Sequence, residues 1–582
     1  LIYLASHPGR LLRCCCLVIS LSLPVTAVAE VTVQVEGVDG AMQEGLRSTL
    51  SIASLPADAE PSDARVRYLH RNAEDQLRNA LQAYSYFNPQ IDSRLERTES
   101  GWLATYEVNP GPAVLIEDQK LELLGEGADS GLFDAWLKSP VLASGEKLDQ
   151  QAYDALKADL LELAASEGYH DARFTESKIE VYPEDNRARI ALTFDTGPSY
   201  TISEINFGEA PVRESLLRRY QTVQAGDPVR NDELILMQRG LIDSDYFELV
   251  DVQPDWSQAD EQHRVPVQVT MNPNKRTAYR FGAGYGTDTG ARVSVRQDRR
   301  WVNDRGHSMD TKLELSEVTN TLSSEYGIPG VNPLNDSYAI QALYEQETTD
   351  TTDTEKWSLA ALDKRLRGNQ SWNYGLILEQ EKFSFGDDEQ STLLLVPELD
   401  WEISKADDRL NTRNGYRLGI KLSGAEENIV SDLTFAQVEV DAKVVKSLGD
   451  DWRFLGRTQL GATAVEDFEH MPSSRRFFAG GDNSVRGYTY KELGPEDDEG
   501  NVRGGRYLMT YSAEFDYRVA GNWRAAVFYD AGNAVDSLTT ALKHSAGVGA
   551  RWQSPIGPIR VDLAKPLDDD GFRIHFSLGP DL

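Results

Sequence analysis

From Thr277 to the end of the chain, hydrophobicity alternates with a period of two, in segments of roughly ten residues divided by polar turns. A helix would instead repeat its buried stripe every 3.6 residues, so this half of the chain reads as strands. In "RAAVFYDAG", Ala525, Val527 and Tyr529 fall on one face, and Arg524, Phe528 and Asp530 on the other. In "RYLMTYSAEFDYRV", Tyr507, Met509, Tyr511, Ala513 and Phe515 oppose Leu508, Thr510, Ser512, Glu514 and Asp516. About 16 such segments can be placed, an even number that leaves both ends of a barrel on one side. A soluble β-sandwich is the rival. It is disfavoured because the apolar face persists on nearly every segment, and because Trp372, Trp401, Trp452 and Trp523 stand at segment ends, where interfacial belts form. Residues 276–582 are therefore expected to form an antiparallel transmembrane β-barrel.

The first thirty residues point to an exported chain. Arg10 and Arg13 precede an apolar run from Cys14 to Val25, and Ala27-Val28-Ala29 then offers a signal-peptidase site. Residues 1–29 are expected to be a signal peptide, because the run is well short of the roughly 20 residues that a bilayer-spanning helix needs. Cys14, Cys15 and Cys16 are the only cysteines, which leaves the expected mature chain without disulfides or thiolate metal sites. A net charge of −34 argues against nucleic acid as a partner, since phosphates require a basic surface.

The front half repeats. From Pro112 to Pro198 the order is strand, helix, helix, strand, strand, including "LFDAWLKS" and "AYDALKADLLELAASEGYHDARF", and from Ser199 it recurs with "SLLRRYQTVQAGDPV" and "DELILMQRGLIDSDYFELVDVQP". Leu156, Leu160 and Leu163 in one copy, and Leu234, Met237 and Leu241 in the other, recur at helical spacing and read as core. The second helix of each copy runs out into Gly168-Tyr169 or Asp245-Tyr246-Phe247, where an aromatic can cap the core. A less regular copy precedes them. The expected modules are 30–111, 112–198 and 199–275.

No catalytic set is visible: there is no Gly-x-Ser-x-Gly elbow, no HExxH and no Walker loop, and the eight histidines are scattered. "GAGYG" at 282–286 lacks a following helix and reads as strand glycines, and the acidic stretches between segments lack EF-hand spacing. The chain is expected to be a non-enzyme with no cofactor and no metal.

One connection, 466–505, is far longer than the rest, and a loop of that length is usually functional or packed elsewhere. It contains Gly480-Gly481, Ser484 and then Val485-Arg486-Gly487-Tyr488. Together with the βααββ repeats joined at Gly-Pro, these residues resemble the BamA/TamA superfamily of outer-membrane assembly factors, whose periplasmic repeats are POTRA domains. The resemblance implies that the loop folds back into the barrel and that Arg486 meets acidic groups on the inner wall. By parity, Glu514 and Asp530 are the candidate partners. The family's aromatic-x-Asp-x-Gly strand pattern is present as Phe528, Asp530 and Gly532. Two roles stay open for Arg486: locking the barrel shut, or coupling to substrate handling.

Gly282, Gly284 and Gly286 weaken the first barrel segment, while Gly579-Pro580 follow the last, and Pro580 has no N–H for a ladder. Closure is expected to be weakest there. The resemblance makes this seam a lateral gate where a nascent strand can add; ordinary strand fraying is the alternative. Gly571, Ile574 and Phe576 also fit the C-terminal signal by which assembly machinery recognises its own barrel substrates.

Three front modules resemble the TamA-like branch of the superfamily. That implies assembly or secretion of autotransporters and other β-barrel clients, and a TamB-like inner-membrane partner reached through the first periplasmic module. Unfolded outer-membrane proteins and outer-membrane lipid would be the other partners, in a Gram-negative cell. A two-partner-secretion-type transporter and a passive outer-membrane pore are the alternatives.

Overall fold

The computed structural model describes residues 30–56, 61–99, 101–349, 352–385, 388–555 and 557–579. The expected signal peptide and Pro580 lie outside the described residues. The chain divides into two compact units, Leu1–Tyr200 with Pro228–Asn231, and Thr201–Asp227 with Asp232–Leu582.

The first unit holds two βααββ modules. In the first, β1 (Glu30–Glu36), α1 (Gly40–Thr49), α2 (Asp63–Ala83), β2 (Gln90–Thr98) and β3 (Gly101–Asn109) give a sheet of order β1-β3-β2. β1 runs parallel to β3, which requires a crossover, and the two helices supply it. Ser62 starts α2 by accepting the Arg65 N–H. Leu46, Leu77 and Leu81 from the helices, with Leu50 just after α1, then bury against Val33, Val35, Ala104 and Tyr106 of the sheet. Each such leucine contributes about 1.5–3 kcal/mol of burial. The second module repeats the plan with β4 (Leu115–Leu124), α3 (Asp134–Leu137), α4 (Gln150–Ser166), β5 (Arg173–Tyr182) and β6 (Arg187–Asp195), in sheet order β4-β6-β5.

The second unit opens with a third such module: β7 (Thr201–Phe207), α5 (Glu214–Leu217), α6 (Asn231–Asp243), β8 (Phe247–Pro254) and β9 (Arg264–Pro273), in order β7-β9-β8. Leu234, Met237 and Leu241 are its buried helical stripe, as the spacing predicts. In α4 the fully buried stripe is instead Tyr153, Leu160 and Ala164, with Leu156 and Leu163 on its flanks. The first helices of modules two and three are shorter than expected, a single turn each. Phe133 and Trp136 anchor one turn, and Leu216, Leu217 and Tyr220 the other. A few large side chains suffice to dock these turns, so no longer stripe is needed.

Sixteen antiparallel strands follow, from β10 (Thr277–Gly286) to β25 (Arg573–Leu578), each paired with the next. Because β10 leaves module three, the short turns at 368–369, 407–413, 449–451 and 521–522 share the module-three end, and the long loop 466–505 lies at the other end. Aromatics gather at the module-three end. Trp372 faces Trp401 across one strand pair, Trp452 lies against Tyr517, and Trp523 stacks on Trp552. This is an interfacial belt. Among the described residues no helix is long and apolar enough to cross a membrane.

Module three is keyed to the barrel's turns. Arg213 bonds Asp304, Arg300 bonds Asp245, and Arg219 donates to the carbonyls of Pro329 and Val331. The buried Tyr246 hydroxyl donates to Gly306 O at 2.6 Å, and burial pushes that phenol up to about 12. Gly306 has φ +74, and a Cβ there would come within 2.3 Å of Leu216 Cδ2 and 2.5 Å of Tyr246 Oη. Gly306→Ala is therefore expected to cost about 1–3 kcal/mol of this docking. Hydrogen exchange of module-three amides checks it: faster exchange supports the docking, and exchange equal to the parent's removes it.

Candidate functional site in the barrel lumen

The loop that leaves β20 (Trp452–Val465) returns to β21 (Tyr507–Ala520) as an irregular hairpin. Phe477 and Gly505 exchange both backbone hydrogen bonds, and Ala479 pairs with Leu493. Its tip closes tightly: Gly481 N–H donates to Tyr488 O, and the Ser484 hydroxyl accepts the Gly480 N–H. Gly480 has φ +102, and a Cβ there would strike Thr489 O at 2.2 Å, so only glycine fits. Arg457 holds the tip to β20 by donating to Ser484 O at 2.9 Å.

Arg486 at the tip is 5% exposed and makes the densest set of polar contacts in the loop. Its Nε and Nη2 fork onto Asp530 at 2.7 and 2.9 Å, and its backbone N–H donates to the same carboxylate at 3.1 Å. Nη1 reaches Glu514 at 2.8 Å and Asp562 at 3.1 Å, and Nη2 also reaches Ser512 Oγ. The guanidinium lies 3.5 Å from the Phe528 ring centroid. Val485 and Tyr488 on either side are buried.

These wall groups share a face because they alternate along adjacent strands. Ser512 stands opposite Asp530, and Glu514 opposite Phe528, where β21 pairs with β22 (Trp523–Val535). Tyr511, Phe515, Val527 and Tyr529, of opposite parity, are exposed on the outer face. Gly532 continues the inner row, and a Cβ there would meet Met509 O at 2.7 Å, so the glycine allows close strand approach.

Parity thus brings Arg486, Glu514, Asp530, Phe528 and Gly532 together. Two members escaped sequence reasoning. Arg551 on β23 (Lys543–Ser554) forks onto Glu514 at 3.0 and 2.9 Å and bonds Asp562 of β24 (Gly557–Pro566) at 2.5 Å. The cluster therefore holds two arginines and three carboxylates, all buried. The same alternation, continued through β23 and β24, places both on the inner face, but their partners follow from strand register. Such a charge-assisted network fixes one loop position and tolerates no unpaired member.

The seam residues stand apart from this cluster. Gly282, Gly284 and Gly286 lie on β10 opposite Ser294, Arg292 and Gly290 of the second strand. β25 has six residues and, among the described residues, pairs with β24. Among the described residues no ladder joins β10 to β25. Gly579 follows β25 and donates its N–H to Pro558 O at 3.2 Å.

Comparison with known proteins places this arrangement. Residues 280–581 match the Omp85 superfamily domain. Residues 32–110 match the POTRA domain described as TamA domain 1. The outer membrane protein assembly factor BamA of Nitratidesulfovibrio vulgaris is 24% identical over 541 residues, covering 86% of this chain and 67% of that one. BamA of Neorickettsia risticii is 22% identical over 536 residues, covering 85% of this chain and 69% of that one. The crystal structure of BamA from Haemophilus ducreyi lacking POTRA domains 1–3 shares the fold with a TM-score of 0.68 at 17% identity, over 79% of this chain and 99% of that one.

Proposed function

The chain belongs to the Omp85 superfamily, and on that premise we propose that it promotes insertion or secretion of autotransporters and other β-barrel clients, working with a TamB-like inner-membrane partner. It is an outer-membrane assembly or translocation factor of a Gram-negative cell, with its N-terminal modules in the periplasm. The observation that carries the client reading is the unladdered seam. The free edge of β10 offers main-chain donors and acceptors on which an incoming strand can pair by β-augmentation. Such pairing supplies its own free energy, which suits a chain with no nucleotide motif. Contact with the inner-membrane partner is assigned to the first module, residues 30–111, whose match to a TamA-type domain supports it.

A passive pore fits less well, because the loop tip is bonded to the lumen wall. A two-partner-secretion-type transporter fits less well because three modules precede the barrel. Depletion followed by outer-membrane proteomics tests the proposal. Loss of selected barrel proteins and autotransporters is expected; loss of small-solute uptake alone would overturn it.

A further inference from the structure

Among the described residues the seam has no ladder, yet its two sides are joined through the inward loop. Thr287 and Asp288 form the turn after β10, while His575 and Phe576 lie on β25. Phe576 N–H donates to Thr287 Oγ1 at 2.9 Å, and that hydroxyl donates to the Asp482 carboxylate at 2.9 Å. Asp482 belongs to the loop, six residues after Arg476 and four before Arg486. Its own N–H donates to Asp288 Oδ2 at 2.7 Å. From the other side, His575 Nδ1 meets Asp482 Oδ1 at 2.5 Å, and His575 Nε2 lies 2.8 Å from the Gly487 nitrogen.

The protonation pattern follows from the one fixed donor. A backbone N–H can only donate, so Nε2 of His575 is the acceptor and the ring proton sits on Nδ1, aimed at Asp482. Gly487 can present that N–H because it adopts φ +101, with Pro566 3.2 Å from where a Cβ would stand. Donor atoms of Asp288, Asp482 and His575 fall within 4.8 Å of one another, a spacing that would also suit a cation. With Nδ1 carrying a proton and Nε2 occupied, however, His575 has no lone pair to give, so the trio is a hydrogen-bond relay. Burial, with Asp482 beside it, pushes the Asp288 carboxyl up to about 6, and the Asp482 N–H offsets part of that cost.

We propose that His575 is the latch of the seam: its two ring nitrogens tie the last strand to the loop tip at Gly487 and, through Asp482, to the first hairpin at Thr287 and Asp288. The loop tip is itself held by Arg486, one residue away. The state of the seam is therefore set by the loop, and the edges of β10 and β25 part when the loop moves. This rests on the seam serving client strands, as argued above, and adds His575 as the positioning residue for that step.

Nitroxide labels at Phe281→Cys and Leu578→Cys, both outward-facing at 78% and 46% exposure, report the seam width in the full chain purified from outer membranes. Pulsed dipolar distances are expected to be narrow in the parent and in His575→Gln, whose amide can both accept from Gly487 and donate to Asp482. His575→Phe fills the space but makes neither bond, and at least about a twofold broadening toward longer distances is expected. Thr287→Val, which cuts the relay on the other side of the seam, is expected to broaden the distribution likewise and decides the matter if His575→Phe does not fold. Unchanged distributions in the variants overturn the latch. Broadening with an unchanged rate of client insertion supports the latch and removes the gate reading instead.

Discussion

Arg486→Ala is expected to lower the unfolding free energy of the barrel by about 3–5 kcal/mol, the cost of leaving a buried charge without its partner. Asp530 is 0% exposed and takes three donors from Arg486, two from the guanidinium and one from the backbone. Of its hydrogen bonds, those from the Ser512 hydroxyl and that backbone N–H would remain. Glu514 and Asp562 would keep Arg551, so the damage is concentrated at Asp530. Arg486→Lys keeps the charge but loses the fork and the flat contact with Phe528, and an intermediate loss is expected. Adding Asp530→Asn to Arg486→Ala should recover part of the stability, since it removes the stranded charge. The readout is the temperature at which the folded band converts to the unfolded band on a gel, together with client secretion. Lowered stability at normal secretion assigns Arg486 to locking the barrel; loss of secretion from a barrel of parental stability assigns it to substrate handling. Parental values for both remove the residue from either role.

The architecture was readable because both halves of the chain are governed by simple periods. Alternation places Glu514 and Asp530 on one wall without coordinates, since side chains two residues apart share a face. The strand count and the order of elements in the modules followed from the same rule and from turn spacing. What escaped the sequence is what depends on proximity without periodicity. Arg551 and Asp562 follow the inner parity, but their pairing with Glu514 and Arg486 depends on strand register across four neighbouring strands. The single-turn helices at Asp134–Leu137 and Glu214–Leu217 carry enough apolar residues for longer ones, and only the packed module shows where they stop. His575 and Asp482 are 93 residues apart and meet through an irregular loop, which no periodicity encodes. The glycines that weaken β10 were visible; the relay that compensates across the seam was not.

That relay bears on the second large effect. Joining Thr287→Cys to Phe576→Cys is expected to slow client insertion sharply, because it replaces a reversible hydrogen bond between the first hairpin and the last strand with a covalent one. An incoming strand must reach the main-chain groups of β10, and it cannot do so while β25 is held beside them. Insertion in proteoliposomes should slow by at least about tenfold, which is about 1.4 kcal/mol on the barrier, and recover when the disulfide is reduced. Crosslinking within the wall provides the control. Leu378→Cys with Leu395→Cys joins residues that face each other across β16 (Gln370–Phe385) and β17 (Asp388–Ala406), which are already fully laddered, so that bond should leave the rate at the parental value. A general effect of stiffening the barrel would slow both variants, whereas a lateral route for the client slows only the first. If the Thr287–Phe576 crosslink forms quantitatively and insertion proceeds at the parental rate, the client does not enter between β10 and β25, and the missing ladder there is strand fraying at a short terminal strand.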